Sequence, residues 1–125
     1  MNAYLYAKDY DRYAKAAMDH FSRKPFTTWS ELNEAAWNFY LHVNDVDQLN
    51  AALSWAIQSI RILPRYSNID TAACLYVKLG LKVWGRELAE KVIHIGTQNR
   101  EDVSSTQNLL ASLTHYVGDT LPISK

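Results

Sequence analysis

The chain has 125 residues, 48% of them apolar, and its 13 Lys and Arg are balanced by 13 Asp and Glu. That balance argues against a nucleic-acid or anionic-membrane surface, either of which needs a clustered basic excess. Four Trp, eight Tyr and three Phe argue against intrinsic disorder. A single cysteine, Cys74, excludes an internal disulfide and a cysteine-based metal cluster. No apolar run approaches the roughly 20 residues needed to span a bilayer, so no membrane insertion is expected. The first nine residues lack the basic start and apolar centre of a signal peptide.

Between the few Gly and Pro residues the apolar positions recur with a period of 3.6, which predicts helices. Ala3, Tyr6, Ala7, Tyr10, Tyr13, Ala14, Ala17, Met18 and Phe21 define one helix over 3–23, ended by Arg23-Lys24-Pro25. Thr28-Trp29-Ser30-Glu31 has the pattern of a capping box, opening a second helix with the stripe Leu32, Ala35, Ala36, Phe39, Tyr40 and Val43. Asn44-Asp45-Val46-Asp47 reads as a turn and N-cap. A third helix carries Leu49, Ala52, Leu53, Ala56, Ile57, Ile60 and Leu63 and is closed by Pro64. The fourth starts at Ser67-Asn68-Ile69-Asp70, with Ile69, Ala72, Ala73, Tyr76 and Leu79, and closes at Gly80. Trp84, Leu88, Ala89, Val92 and Ile93 mark a fifth, ending near Gly96. Val103, Leu109, Leu110 and Leu113 mark a sixth from about Asn99 or Arg100, fading near Gly118-Asp119 before a frayed tail over 119–125. No segment alternates with period two. The expected fold is all-α, about six helices in stacked antiparallel pairs, forming one domain over 1–118.

Self-similarity supports the pairing. The third and fifth helices align at an offset of 33, placing Ala52 on Gly85, Ala56 on Ala89 and Ile60 on Ile93. Ala36-x-x-Phe39 aligns with Ala73-x-x-Tyr76 at an offset of 37. Two helix-turn-helix units, about 30–64 and 67–98, are therefore expected between flanking helices at 3–23 and 100–116. Leu53 and Ile57 of the first unit fall on Arg86 and Glu90 of the second, a narrower apolar face suited to the end of an array.

Small residues at Ala36, Ala52, Ala56, Ala73, Gly85 and Ala89, with Tyr76 three after Ala73 and Leu79-Gly80 before the turn, resemble the tetratricopeptide repeat. Ala35-Ala36-Trp37-Asn38-Phe39-Tyr40, Ala52-Leu53-Ser54-Trp55-Ala56, Asp70-Thr71-Ala72-Ala73 and Ala89-Glu90-Lys91-Val92-Ile93 also resemble the helical C-terminal region of some bacterial thioredoxin-family proteins. That resemblance implies an appendage behind a thioredoxin domain, in a periplasmic or exported setting. The first helix reads as an outer repeat helix whose inner partner would precede Met1, so a piece of a longer protein is expected, with a free-standing relative as the alternative. The chain has no Cys-x-x-Cys, hence no dithiol exchange of the usual kind is expected.

For the titratable residues the structural readings come first. The histidines His20, His42, His94 and His115 have no i, i+4 spacing that would hold a metal. Asp45, Asp47 and Asp70 lie near helix starts, where capping accounts for carboxylates. Glu87, Glu90 and Lys91 read as a solvated face. Cys74 reads as a buried or groove-lining thiol. No glycine-rich phosphate loop occurs, and no cofactor, metal or catalytic residue is expected. A small-ligand pocket would need convergent polar groups such as His42 near Asp45 or Asp47.

The resemblance to tetratricopeptide arrays implies a groove lined by the first helix of each unit. Carried over, its positions are Asn33, Trp37 and Tyr40, then Asp70, Cys74, Val77 and Lys78. Trp37 and Tyr40 would anchor a protein or peptide partner and Asn33 and Asp70 would hydrogen-bond it; the alternative is that the two aromatics are core. The expected function is a non-catalytic scaffold for protein contact, positioning an attached thioredoxin-like domain. A homodimer through Tyr6, Tyr10 and Tyr13 of the first helix is the other expectation.

Overall fold

The computed structural model describes residues 2–23 and 27–113. Among them are seven helices and no strand: α1 (Asn2–Tyr6), α2 (Tyr10–Arg23), α3 (Trp29–His42), α4 (Val46–Ile62), α5 (Tyr66–Lys78), α6 (Lys82–Gln98) and α7 (Ser104–Leu113). The all-α expectation holds. Lys24, Pro25 and the segment from 114 onward, including His115 and the tail, lie outside the described residues.

The single helix expected over 3–23 is broken in two. Lys8 adopts a left-handed φ of 59°. This lets the Asp9 N–H donate to the Tyr4 carbonyl at 2.8 Å and the Lys8 N–H to Leu5 at 3.1 Å, a Schellman closure of α1. The Asp9 carboxylate then accepts from the Arg12 N–H at 3.4 Å and opens α2. The same closure, with Gly80 at φ 84°, ends α5, and with Arg100 at φ 60° it ends α6. Arg100 also delays the last helix to Ser104, where Asp102 accepts from the Ser104 N–H at 3.0 Å. Gly80 announces its turn in the sequence, whereas Lys8 and Arg100 do so without the usual glycine.

Other caps follow the sequence. Thr28 caps α3, accepting from the Glu31 N–H at 3.1 Å, while the Glu31 carboxylate takes the Thr27 and Thr28 hydroxyls. Asp45 caps α4 through the Gln48 N–H at 2.9 Å. At α5 the work falls to Asn68, not Asp70. Its Oδ1 accepts from the Arg65 N–H at 2.9 Å, and its Nδ2 donates to the Leu63 carbonyl and the Ser59 hydroxyl, each at 2.9 Å. Ser59 in turn donates to the Trp29 carbonyl at 2.7 Å. This buried network joins the start of α3, the end of α4 and the start of α5 with Asn68 fully partnered.

Loops of three residues each, 43–45, 63–65 and 79–81, fold successive helices back on one another. α3 pairs with α4 and α5 with α6; α5 also packs against α4 and α3, and α7 packs on α6. Ala36, Ala52, Ala56, Ala73 and Ala89 are fully buried, and Tyr76 is partly so. A Cβ at Gly85 would stand 2.5 Å from Val77 Cγ2 and 3.1 Å from the Ala73 carbonyl oxygen. Gly96 lies inside α6, and a Cβ there would meet Val103 at 2.5 Å and Tyr66 at 2.9 Å. It is a point of close approach, not a stop.

The larger core lies among α2, α3 and α4, where Phe39 packs edge-on against Trp55 at 4.8 Å and Tyr13 at 5.8 Å, and Phe21 meets Trp55 at 4.7 Å. Burying a side chain such as Phe39 stabilises the fold by roughly 1.5–3 kcal/mol. Several members of the expected stripes stay out of the core: Ala3, Tyr6 and Ala7 of the first stripe are exposed, as is Leu63, and Trp84 is 53% exposed. Trp84 lies one position off the buried line Gly85, Ala89, Val92 and Gly96, and it stacks on Tyr76 at 6.5 Å instead.

Candidate functional site

α3 and α5 each turn one face away from the helices that follow them, and α7 rises beside that surface. Trp37 and Tyr40 from α3, Asp70 and Cys74 from α5, and Ser105, Asn108, Leu109 and Ser112 from α7 line a cavity of about 360 Å³. A second cavity of about 390 Å³ adjoins it, lined by Tyr40, Leu41, Val77 and Lys78. Tyr40 belongs to both, so the two form one groove. Six of the seven residues assigned to a groove from the sequence thus lie together. Asn33 lines neither cavity; its Oδ1 is buried without a hydrogen-bond partner among the described residues.

The aromatics are half-buried, with the Trp37 and Tyr40 rings stacked 5.1 Å apart at 28°. Tyr40 also touches the core, whereas Trp37 does not join it. On the other side of Tyr40, the Lys78 ammonium donates to the Tyr40 carbonyl at 2.5 Å and lies 5.5 Å from the ring centroid. Burial moves the Lys78 ammonium below its ordinary value.

Asp70 is 7% exposed and four residues inside α5, so the capping role expected for it is not the one it has. Its carboxylate accepts a 2.5 Å hydrogen bond from the Thr106 hydroxyl, and the Thr106 oxygen is bonded to the Tyr66 hydroxyl. Threonine has one hydroxyl proton; with Asp70 ionised that proton points to Asp70, so Tyr66 donates to Thr106. Burial pushes the Asp70 carboxyl above its ordinary value, against the lowering effect of the Thr106 hydrogen bond.

Cys74 lies one turn further along α5. Burial, with the Asp70 charge adding to it and a Tyr40 hydrogen bond opposing, pushes the thiol up to about 12. Almost no thiolate forms at neutral pH, so Cys74 is a poor nucleophile. The Tyr40 phenol is raised by burial and by Cys74 and Asp70. Among the described residues no group of three His, Cys, Asp or Glu side chains could hold a metal ion. His42 stacks on Tyr10 at 4.0 Å and 7°, and neither it nor Asp45 or Asp47 lines the two cavities described. The groove thus brings together two aromatic faces, one carboxylate, the Lys78 ammonium and the neutral hydrogen-bonding groups of α7.

Sequence reasoning missed the α7 wall. Ser105, Asn108 and Ser112 follow i, i+3, i+7 spacing with Leu109 at i+4, so the helical period puts these three polar residues on one face beside an apolar stripe. Thr106 and Arg86 were missed as well. Arg86 ties α6 to α7 by donating to the Leu113 carbonyl at 2.8 Å. No family model matches the chain, and no curated protein or solved structure matches it.

Proposed function

We propose that the chain is a non-catalytic helical scaffold that binds a protein or peptide segment in the groove between α3, α5 and α7. The observation that carries this reading is the stacked Trp37–Tyr40 pair, half-exposed over two adjoining cavities. Rigid aromatics in a concave, partly desolvated surface supply most of the energy in peptide recognition. The resemblance of the small-residue pattern to tetratricopeptide repeats supports the same use of this face.

A peptide selection from a random library displayed on phage tests it. Peptides enriched on the wild-type protein should lose binding to Trp37→Ala while the variant keeps its helical circular dichroism and its urea midpoint within the modest loss expected of a half-buried side chain. A collapse of stability comparable to that of the core variant Trp55→Ala would instead return Trp37 to a structural role.

An attached thioredoxin-like domain is the extension implied by resemblance. Its test is the reading frame upstream: a Cys-x-x-Cys-bearing domain in the same frame supports it, and a stop codon sinks it. Self-association through the first helices is the alternative, favoured by Tyr6 at 89% exposure. Two of its three tyrosines are already engaged, however, since Tyr13 is buried with its hydroxyl accepting from Asn38 at 3.4 Å and Tyr10 stacks on His42. Sedimentation at two concentrations separates the alternatives.

A further inference from the structure

The two cavities differ in charge. Around Trp37 and Asp70 the lining holds one carboxylate, two aromatic faces and the neutral polar groups of Ser105, Asn108 and Ser112, with no cation among the described residues. The ion pairs among the described residues, Arg12–Asp9 and Arg23–Asp19, lie far along the chain on the α2 surface, and Asp70 takes part in neither. An ionised carboxylate nine-tenths buried with a single hydroxyl donor among the described residues is under-compensated. Its burial raises its proton affinity, which is the same deficit seen in another form. The neighbouring cavity is the opposite case. There Lys78 is held by the Tyr40 carbonyl, and Leu41 and Val77 make the wall apolar.

We propose that the groove takes an extended segment of a protein partner with a lysine or arginine side chain seated between Asp70 and the Trp37 ring, and an apolar side chain in the cavity formed by Leu41 and Val77. This rests on the reading of the groove as a peptide site and names the chemistry of its occupant. A cation there gains from the carboxylate across a low-dielectric wall and from the face of the indole. Lys78 repels a second cation at the other end. Asp70 and Val77, which lines the apolar cavity, are seven residues apart on one helix, about 10 Å at 1.5 Å per residue. An extended chain covers that in roughly three to four residues at about 3.3 Å each. The expected motif is therefore a basic residue with an apolar residue three or four positions away.

The peptides selected on the wild-type chain provide the test. The sequences should show a basic position with an apolar one at that spacing. A synthetic peptide of the enriched sequence, made with arginine at the basic position, should bind Asp70→Asn at least tenfold more weakly, and its citrulline counterpart should bind the wild-type protein at least tenfold more weakly. Asp70→Asn keeps an acceptor for Thr106 while removing the charge, and the citrulline peptide repeats the measurement on an unaltered protein. Enriched peptides without a basic position, or equal binding of the arginine and citrulline forms, overturn this proposal while leaving the groove as a peptide site if Trp37→Ala still abolishes binding. A library that yields no peptide above background overturns both.

Discussion

The hydroxyl of Thr106 and the carboxylate of Asp70, 36 residues apart, meet at 2.5 Å and fasten α7 to α5. Tyr66 completes the chain by donating to the same threonine oxygen. This contact closes one wall of the groove, so the stability of α7 and the shape of the binding surface depend on each other.

Thr106→Val removes the hydroxyl and leaves Tyr66 and Asp70 without it. Losing a buried partner costs about 1–3 kcal/mol, so the urea midpoint should fall accordingly, whereas Thr106→Ser should retain most of the stability. Amide exchange over 104–113 should quicken in the valine variant more than exchange in α3 and α4.

Asp70 makes stability depend on pH in an unusual direction. Its folded value lies above the ordinary 3.8, so in the window from 3.8 up through the folded value the folded state binds more protons than the unfolded one. Stability from this group is then fully present below 3.8 and is lost as pH rises through the folded value. The unfolding free energy of the wild type minus that of Asp70→Asn should decline across this window as pH is raised. A flat difference, or one that rises, contradicts the assignment.

Gly85 and Gly80 should fail for different reasons when changed to alanine. At Gly85 the added methyl meets Val77 at 2.5 Å and the Ala73 backbone oxygen at 3.1 Å, an overpacking that costs about 1–3 kcal/mol and outweighs the gain of about 1 kcal/mol in helix propensity. At Gly80 nothing lies within 4 Å, but φ is 84°, so the loss is backbone strain of about 1–2 kcal/mol. Val77→Ala should partly rescue Gly85→Ala and leave Gly80→Ala unchanged, as read from thermal unfolding.

Cys74 should resist a thiol-specific disulfide reagent at pH 8 in the native protein. Its thiol is buried and raised to about 12, so labelling requires opening of the α5–α7 region. The rate should rise on Thr106→Val and become fast in 6 M guanidinium. Rapid native labelling would show the groove more open than the structure describes.

Much of the architecture was readable in the residues because its causes are local. A 3.6 period, Thr28 and Asp45 as caps, and Gly80 after α5 act within a few residues of themselves, so helix positions followed from them. The break at Lys8 was not readable, because the apolar spacing continues across it and a lysine in the left-handed region carries no glycine signature. Asp70 was misread for the complementary reason: near a helix start a carboxylate ordinarily caps, and only Thr106, arriving from α7, shows that this one faces inward. Trp84 and Leu63 belong to the same class, since period alone places a side chain within about a third of the helix circumference and not against a neighbour.

Length, balanced charge and a single cysteine set the limits at the outset: a chain of single-domain size with no net charge and no internal disulfide. Those limits, the helix pattern and the small residues between paired helices were determined by the sequence itself, through propensity, capping and side-chain volume. Only the tertiary structure decided which face stays open, because openness depends on what packs from 30 to 40 residues away. It set α7 beside α5, left Trp37 and Tyr40 half-exposed, and gave a chain with no net charge one buried carboxylate lining a groove.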